Sequence, residues 1–138
     1  MKVVEFYALW LAALESGEYS QGSGYLQANG KFCCMGVAGD LLVKQGFPGL
    51  RWEVDPSGIS NLVLHDPDSG DCGTLPSPLS QALGLISFSR PGVRQPHSLQ
   101  FKLMTMNDRD GKTFPEIAAY IRQEILPKID PNLELELK

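Results

Sequence analysis

Between residues 3 and 16, Val3, Phe6, Tyr7, Trp10, Leu11 and Leu14 recur at intervals of three and four, which is the period of an α-helix with one apolar face. That face carries Phe6, Tyr7 and Trp10, and a lone helix has nowhere to bury it. The chain must therefore fold as layers, with a second element packed on this stripe. Ser16-Gly17 ends the helix, Gly17 being suited to the left-handed position after it. The full length of 138 residues fits one domain. A chain of that size buries roughly two thirds of its unfolded surface, so a core forms without disulfide staples.

Past Gly17 the period changes. Tyr19 to Gly24 is a polar, glycine-rich connection, and Tyr25–Gln27 and Lys31–Cys33 flank the Asn29-Gly30 pair as a hairpin. Residues 34 to 44 return to a helical period and stop at Gln45-Gly46 before Pro48. Arg51–Val54 and Ile59–His65 form a second hairpin about Asp55-Pro56-Ser57-Gly58, where Pro sets φ and Gly accepts positive φ. A loop over 66–73 follows. Ser77, as N-cap to Pro78, opens a short helix closed by Gly84. Residues 87 to 98 are expected as an exposed loop. Leu99 to Met106 fits both a strand and a helix, and Asn107 to Gly111 reads as a turn. Thr113-Phe114-Pro115-Glu116 is a capping box for a helix running to about Ile125. Residues 128–138 are expected as a tail or edge strand. The expected class is α+β, one domain over 1–138, with three to four helices packed on short antiparallel hairpins.

The formal net charge is −4, with no dense basic face, so nucleic acid is not favoured as a partner. No apolar stretch approaches the roughly 18 residues of a membrane span, and Glu5, Glu15 and Glu18 interrupt the N-terminal run. Three cysteines, two of them adjacent, are a poor disulfide framework and point to a reducing compartment, the cytoplasm of a bacterium. Adjacent Cys33 and Cys34 lack the two-to-four-residue spacing of a zinc site, so no metal is expected. Gly22-Ser23-Gly24 lacks the lysine of a P-loop, and no cofactor motif appears. Asn107-Asp108 with Asp110 begins like a calcium loop, but position 12 would be Ala118, where a bidentate Glu is required.

Cys33-Cys34 falls where a strand gives way to a helix. A thiol at a helix N-terminus sees unpaired N–H groups and the positive dipole end, which favour the thiolate, and a thiolate there is a nucleophile. Phe32-Cys33-Cys34-Met35-Gly36-Val37 is similar to the nucleophile segment of NlpC/P60-type cysteine peptidases. Cys33 stands where that family has Asp, and the glycine-flanked His expected on a following strand is not evident. Of His65 and His97, His65 is the better placed base, so a catalytic reading rests on Cys34 and His65. The alternative is that both cysteines are small buried hydrophobes filling a strand–helix corner. Trp52 offers an aromatic anchor at a partner interface; its alternative is half-buried packing.

Trp10-Leu-x-Ala-Leu-x-Ser-Gly17-x-Tyr19-x-Gln21, Gly24-Tyr-Leu, the Cys-Cys-Met-Gly-Val run, Met106-Asn107-Asp108 and Phe114-Pro115-Glu116-Ile117-Ala118 form a wider pattern. It resembles a family of small proteins of unknown function associated with bacteriophages, prophages and their hosts. This sequence has Met35 where that family usually has Leu, and Gly39 where a Cys is common. The resemblance implies an accessory protein that binds or sequesters a host or defence component, either a protein or a small signalling molecule. The candidate binding residues are Tyr19, Gln21, Gly22, Gly24, Tyr25, Trp52, Asn107 and Asp108. The rival is a cysteine-dependent hydrolase or transferase using Cys34 and His65. Partner identity, oligomeric state and strand order are left open.

Overall fold

The N-terminal stripe forms helix α1 (Val3–Ser16), and its apolar face is fully committed: Val3, Phe6, Tyr7 and Trp10 are each 0 % exposed. Gly17 takes the left-handed conformation at φ 80° and closes the helix. This computed structural model describes residues 1–65, 72–85, 88–90, 93–94 and 99–135, with the strands at 88–90 and 93–94 described by backbone alone. Two buried polar tips of α1 reach across the core. Trp10 Nε1 donates to the Cys34 carbonyl at 3.1 Å, and the Tyr7 hydroxyl donates to the Leu83 carbonyl at 2.6 Å. Each tip thereby keeps a partner after leaving water.

The layer beneath is a five-stranded sheet in the order β1-β3-β2-β5-β4. Its strands are β1 (Ser20–Gln21), β2 (Gln27–Ala28), β3 (Lys31–Phe32), β4 (Leu50–Val54) and β5 (Ile59–Leu64). The Asn-Gly hairpin is present as β2–β3, with Asn29 and Gly30 both at positive φ. The second hairpin pairs Trp52 with Leu62 across β4–β5. The sheet is mixed, because β1 runs parallel to β3 (Ser20 opposite Lys31, Gln21 opposite Phe32). The expected connection over Tyr19–Gly24 therefore holds a short edge strand. Tyr25 precedes β2 and is not part of it.

Helix α2 (Cys34–Lys44) crosses the sheet, and Gly36 lets it do so. A Cβ at Gly36 would collide with the Leu26 carbonyl, so helix backbone lies directly on strand backbone. Helix α3 (Ser77–Ala82) starts one residue earlier than expected: Pro76 is the N-cap and Ser77 is already helical. Two further strands, β6 (Phe88–Arg90) and β7 (Val93–Arg94), pair antiparallel inside the expected 87–98 loop; its other residues, like 66–71 of the 66–73 loop, lie outside the described residues.

The ambiguous stretch is helix α4 (Leu99–Asp108), burying Gln100, Leu103, Met106 and Asn107. Asn107 and Asp108 are thus its last residues, not part of a turn. Helix α5 (Phe114–Tyr120) opens on the complete capping box, Thr113 accepting from the Glu116 N–H and Glu116 accepting from the Thr113 N–H. It continues to Ile125 as a π-helical turn. The tail is anchored by a bridge between Lys2 and Glu134, with Leu135 buried; residues 136–138 lie outside the described residues. The result is the expected α+β class, but with five α-helices among the described residues where three to four were expected, and with a parallel β1–β3 pair beside the expected antiparallel hairpins. Among the described residues no helix is long and apolar enough to cross a membrane, and no group of three or more His, Cys, Asp or Glu is placed to hold a metal.

Candidate functional site

Gln21 ends β1 and Asn107 ends α4, yet the two side chains meet. Gln21 Nε2 donates to Asn107 Oδ1 at 3.0 Å and to the Lys112 carbonyl at 2.7 Å. Gln21 Oε1 accepts the Phe114 N–H at 3.1 Å, which fixes the start of α5. Asn107 Nδ2 donates to the Gly22 carbonyl and to Asp108 Oδ1, both at 2.8 Å. Asn107 Oδ1 also accepts the Cys34 N–H at 3.2 Å, one of the orphan donors at the first turn of α2. Two amides therefore fasten β1, α2, α4 and α5 together. They form one wall of a cleft of about 510 Å³, lined by Gln21, Gly22, Ser23, Lys31, Asn107, Gly111 and Lys112.

Directly behind this wall lies the cysteine pair. Cys33 is the N-cap of α2, its sulfur accepting the Gly36 N–H at 3.4 Å, and it is 2 % exposed. Burial pushes its thiol up to about 11, although the Gly36 N–H opposes that shift. Cys34 is 0 % exposed, and its thiol donates to the Leu103 carbonyl at 3.5 Å. Burial raises its pKa well above the ordinary range, with the neighbouring Cys33 and Asp108 charges adding to the rise. The dipole argument for a reactive thiolate meets a helix start whose donors are already taken by Cys33 and Asn107.

His65 sits elsewhere. It follows β5, takes a positive φ of 61° and rests its ring on Gly49, in the turn that leaves the C-terminal end of α2. Its N–H donates to the Gly49 carbonyl at 2.8 Å. Cys34 is the first residue of the 11-residue α2. Cys34 and His65 therefore belong to opposite ends of α2. Among the described residues no hydrogen bond joins them.

A second constellation gathers Tyr19 and Trp52. Both donate to one carboxylate, that of Asp40: the Tyr19 hydroxyl to Oδ2 at 2.6 Å and Trp52 Nε1 to Oδ1 at 3.0 Å. Lys44, one turn along α2, pairs with the same Oδ2 at 3.1 Å and stands 5.3 Å from the centre of the Tyr19 ring. Phe32 packs edge-on between the two aromatic rings. Burial, with the Asp40 hydrogen bond, raises the Tyr19 pKa. This cluster locks α2 to the sheet through groups already paired with one another.

Of the residues singled out from sequence, Gln21, Gly22 and Asn107 line the cleft, and Asp108 orients Asn107 from its edge. Gly24, at φ 84°, and the exposed Tyr25 stand on the loop beyond it, while Tyr19 and Trp52 belong to the Asp40 cluster. Sequence reasoning missed Asp40, Lys31 and Lys112. For Asp40 a signal existed: it is the one acidic residue in an otherwise apolar helix, with Lys44 four residues on.

The family model described as Domain of unknown function (DUF8296) matches residues 2–125. The chain belongs to that family. Its matched span takes in every residue of the cleft and of the Asp40 cluster, and its description assigns no activity. No curated protein and no solved structure matches the chain.

Proposed function

We propose that this chain is a phage or prophage accessory protein of the bacterial cytoplasm that works by binding a host or defence component, either a protein or a small signalling molecule. The cleft built on Gln21 and Asn107 is its recognition site. The observation that carries the reading is the meeting of Gln21 and Gly22 with Asn107, some 85 residues away in sequence, at one prearranged cleft. Its walls are fixed by hydrogen bonds to backbone, so little ordering entropy is lost on binding. The phage association rests on the motif pattern from Trp10 to Val37 and from Met106 to Ala118. The alternative, a hydrolase or transferase using Cys34 with His65, draws no support from a thiol that is buried and bonded to Leu103.

A photo-reactive amino acid placed at Ser23, on the cleft, tests the reading in bacterial cells, with the same group at Glu53 on the opposite edge of the sheet as control. Intact-mass analysis reads protein and small-molecule adducts alike. Adducts formed from position 23 and not from position 53 are expected. Equal labelling at both positions, or catalytic turnover abolished by Cys34→Ala, would overturn it.

A further inference from the structure

The chemistry of the ligand follows from which polar groups of the cleft are already used. The side-chain oxygens of the two anchoring amides are already engaged. Gln21 Oε1 takes the Phe114 N–H, and Asn107 Oδ1 takes both the Cys34 N–H and Gln21 Nε2. The carbonyls of Gly22 and Lys112 take the Asn107 and Gln21 amides. Donors remain. Among the described residues no hydrogen bond or ion pair engages the Lys31 ammonium, the Ser23 hydroxyl and N–H, or the Gly111 N–H. Lys112 has only Glu116, at 3.9 Å and with both side chains about half exposed, a pairing that water screens heavily. The charged residues of the lining are Lys31 and Lys112, in a chain whose net charge is −4. Of the carboxylates on α4 and α5 beside the lining, Asp108 Oδ1 is held by Asn107 and Glu116 Oε1 by Thr113.

We infer that the cleft binds an oxyanion, the phosphate or diphosphate group of a small molecule, between Lys31 and Lys112. The inference rests on the binding reading above and narrows it to a ligand class. A cleft of about 510 Å³ suits a metabolite-sized ligand. Lys31 opens β3 and Lys112 lies between α4 and α5, so the two cations come from separate segments held in register by Gln21. Charged donors on two walls clamp a multiply charged group, and the Ser23 and Gly111 N–H groups are the backbone donors that a phosphate takes in place of a P-loop.

Titration of the ¹⁵N-labelled protein with inorganic pyrophosphate at low ionic strength tests this. Saturable amide shifts centred on Ser23 and Gly111 are expected. Lys31→Ala/Lys112→Ala should weaken the affinity by roughly tenfold or more, since each charge-assisted bond is worth that much. Arg51→Ala, on the far edge strand, should leave it unchanged. Absence of a saturable shift in the wild-type chain, or shifts centred elsewhere, would overturn the inference without recourse to any variant. Undiminished affinity in the double variant would also overturn it. Cleft-specific photo-adducts from Ser23 alongside a silent pyrophosphate titration would sink the oxyanion and leave the binding reading standing; loss of both would sink both.

Discussion

At Gly36 the backbone of α2 rests on the carbonyl of Leu26, and no side chain fits between them. Gly36→Ala is therefore expected to destabilise the protein by about 3 kcal/mol or more, because either the helix or β2 must move. Urea denaturation checks this; a change within about 0.5 kcal/mol, the range of an ordinary surface substitution, would show that the close approach is not real. Nothing local announces that requirement. A glycine in the first turn of a helix reads from sequence as a mere propensity cost. Asp40 had a local signal in Lys44 four residues on, but its aromatic partners had none. Trp52 was legible as a half-buried aromatic and Tyr19 as part of a polar connection, and the acceptor they share lies 12 and 21 residues away in sequence. Only the β1–β3 and β4–β5 registers bring the three together. Cys33 and Cys34 were legible as a strand–helix corner; whether the thiols opened to solvent depended on Leu103 and Asn107, some 70 residues on.

Among the elements, those specified by short-range chemistry were legible and those specified by pairing were not. The capping box of α5 shows the first case: Thr113 and Glu116 are three residues apart and satisfy each other's backbone. Thr113→Ala should cost about 1 kcal/mol in thermal unfolding, the usual loss on removing such a cap. No change in unfolding would mean that α5 is held by packing of Phe114 and Ile117 alone. The Asn29-Gly30 and Asp55–Gly58 turns were likewise readable, since positive φ demands particular residues. Strand β1 shows the second case. Two residues pairing in parallel with β3 carry no alternation to detect. Residues 99–106 matched both periods, and burial of Gln100, Leu103, Met106 and Asn107 decides for a helix. Carrying that helix on to Asp108 places Asn107 in its last turn, where its side chain meets Gln21.

In the molecule as a whole, Gln21 and Asn107 close long loops of the chain. Hydrogen bonds spanning 73 to 93 residues tie the sheet edge to the starts of α2 and α5. The cleft in front of this joint is open to solvent groups, and the thiols behind it are sealed. In the proposed function recognition falls to the cleft, while Cys33 and Cys34 are packed in the core. The α+β class could be anticipated from sequence, and Gln21, Gly22 and Asn107, among the binding candidates named from it, line the cleft. The lysines that charge the cleft could not be anticipated, because an exposed lysine in a turn or at a strand start looks like any solvated residue. The most direct test is native-state alkylation of each cysteine by iodoacetamide across pH, read by peptide mass spectrometry. With both thiols buried and their pKa values raised, Cys33 to about 11, the thiolate is scarce at neutral pH. Labelling of Cys34 should then proceed only as fast as the protein unfolds. Rapid labelling of Cys34 in the folded protein, persisting well below the ordinary thiol value of about 8.5, would reveal an activated nucleophile and contradict the account.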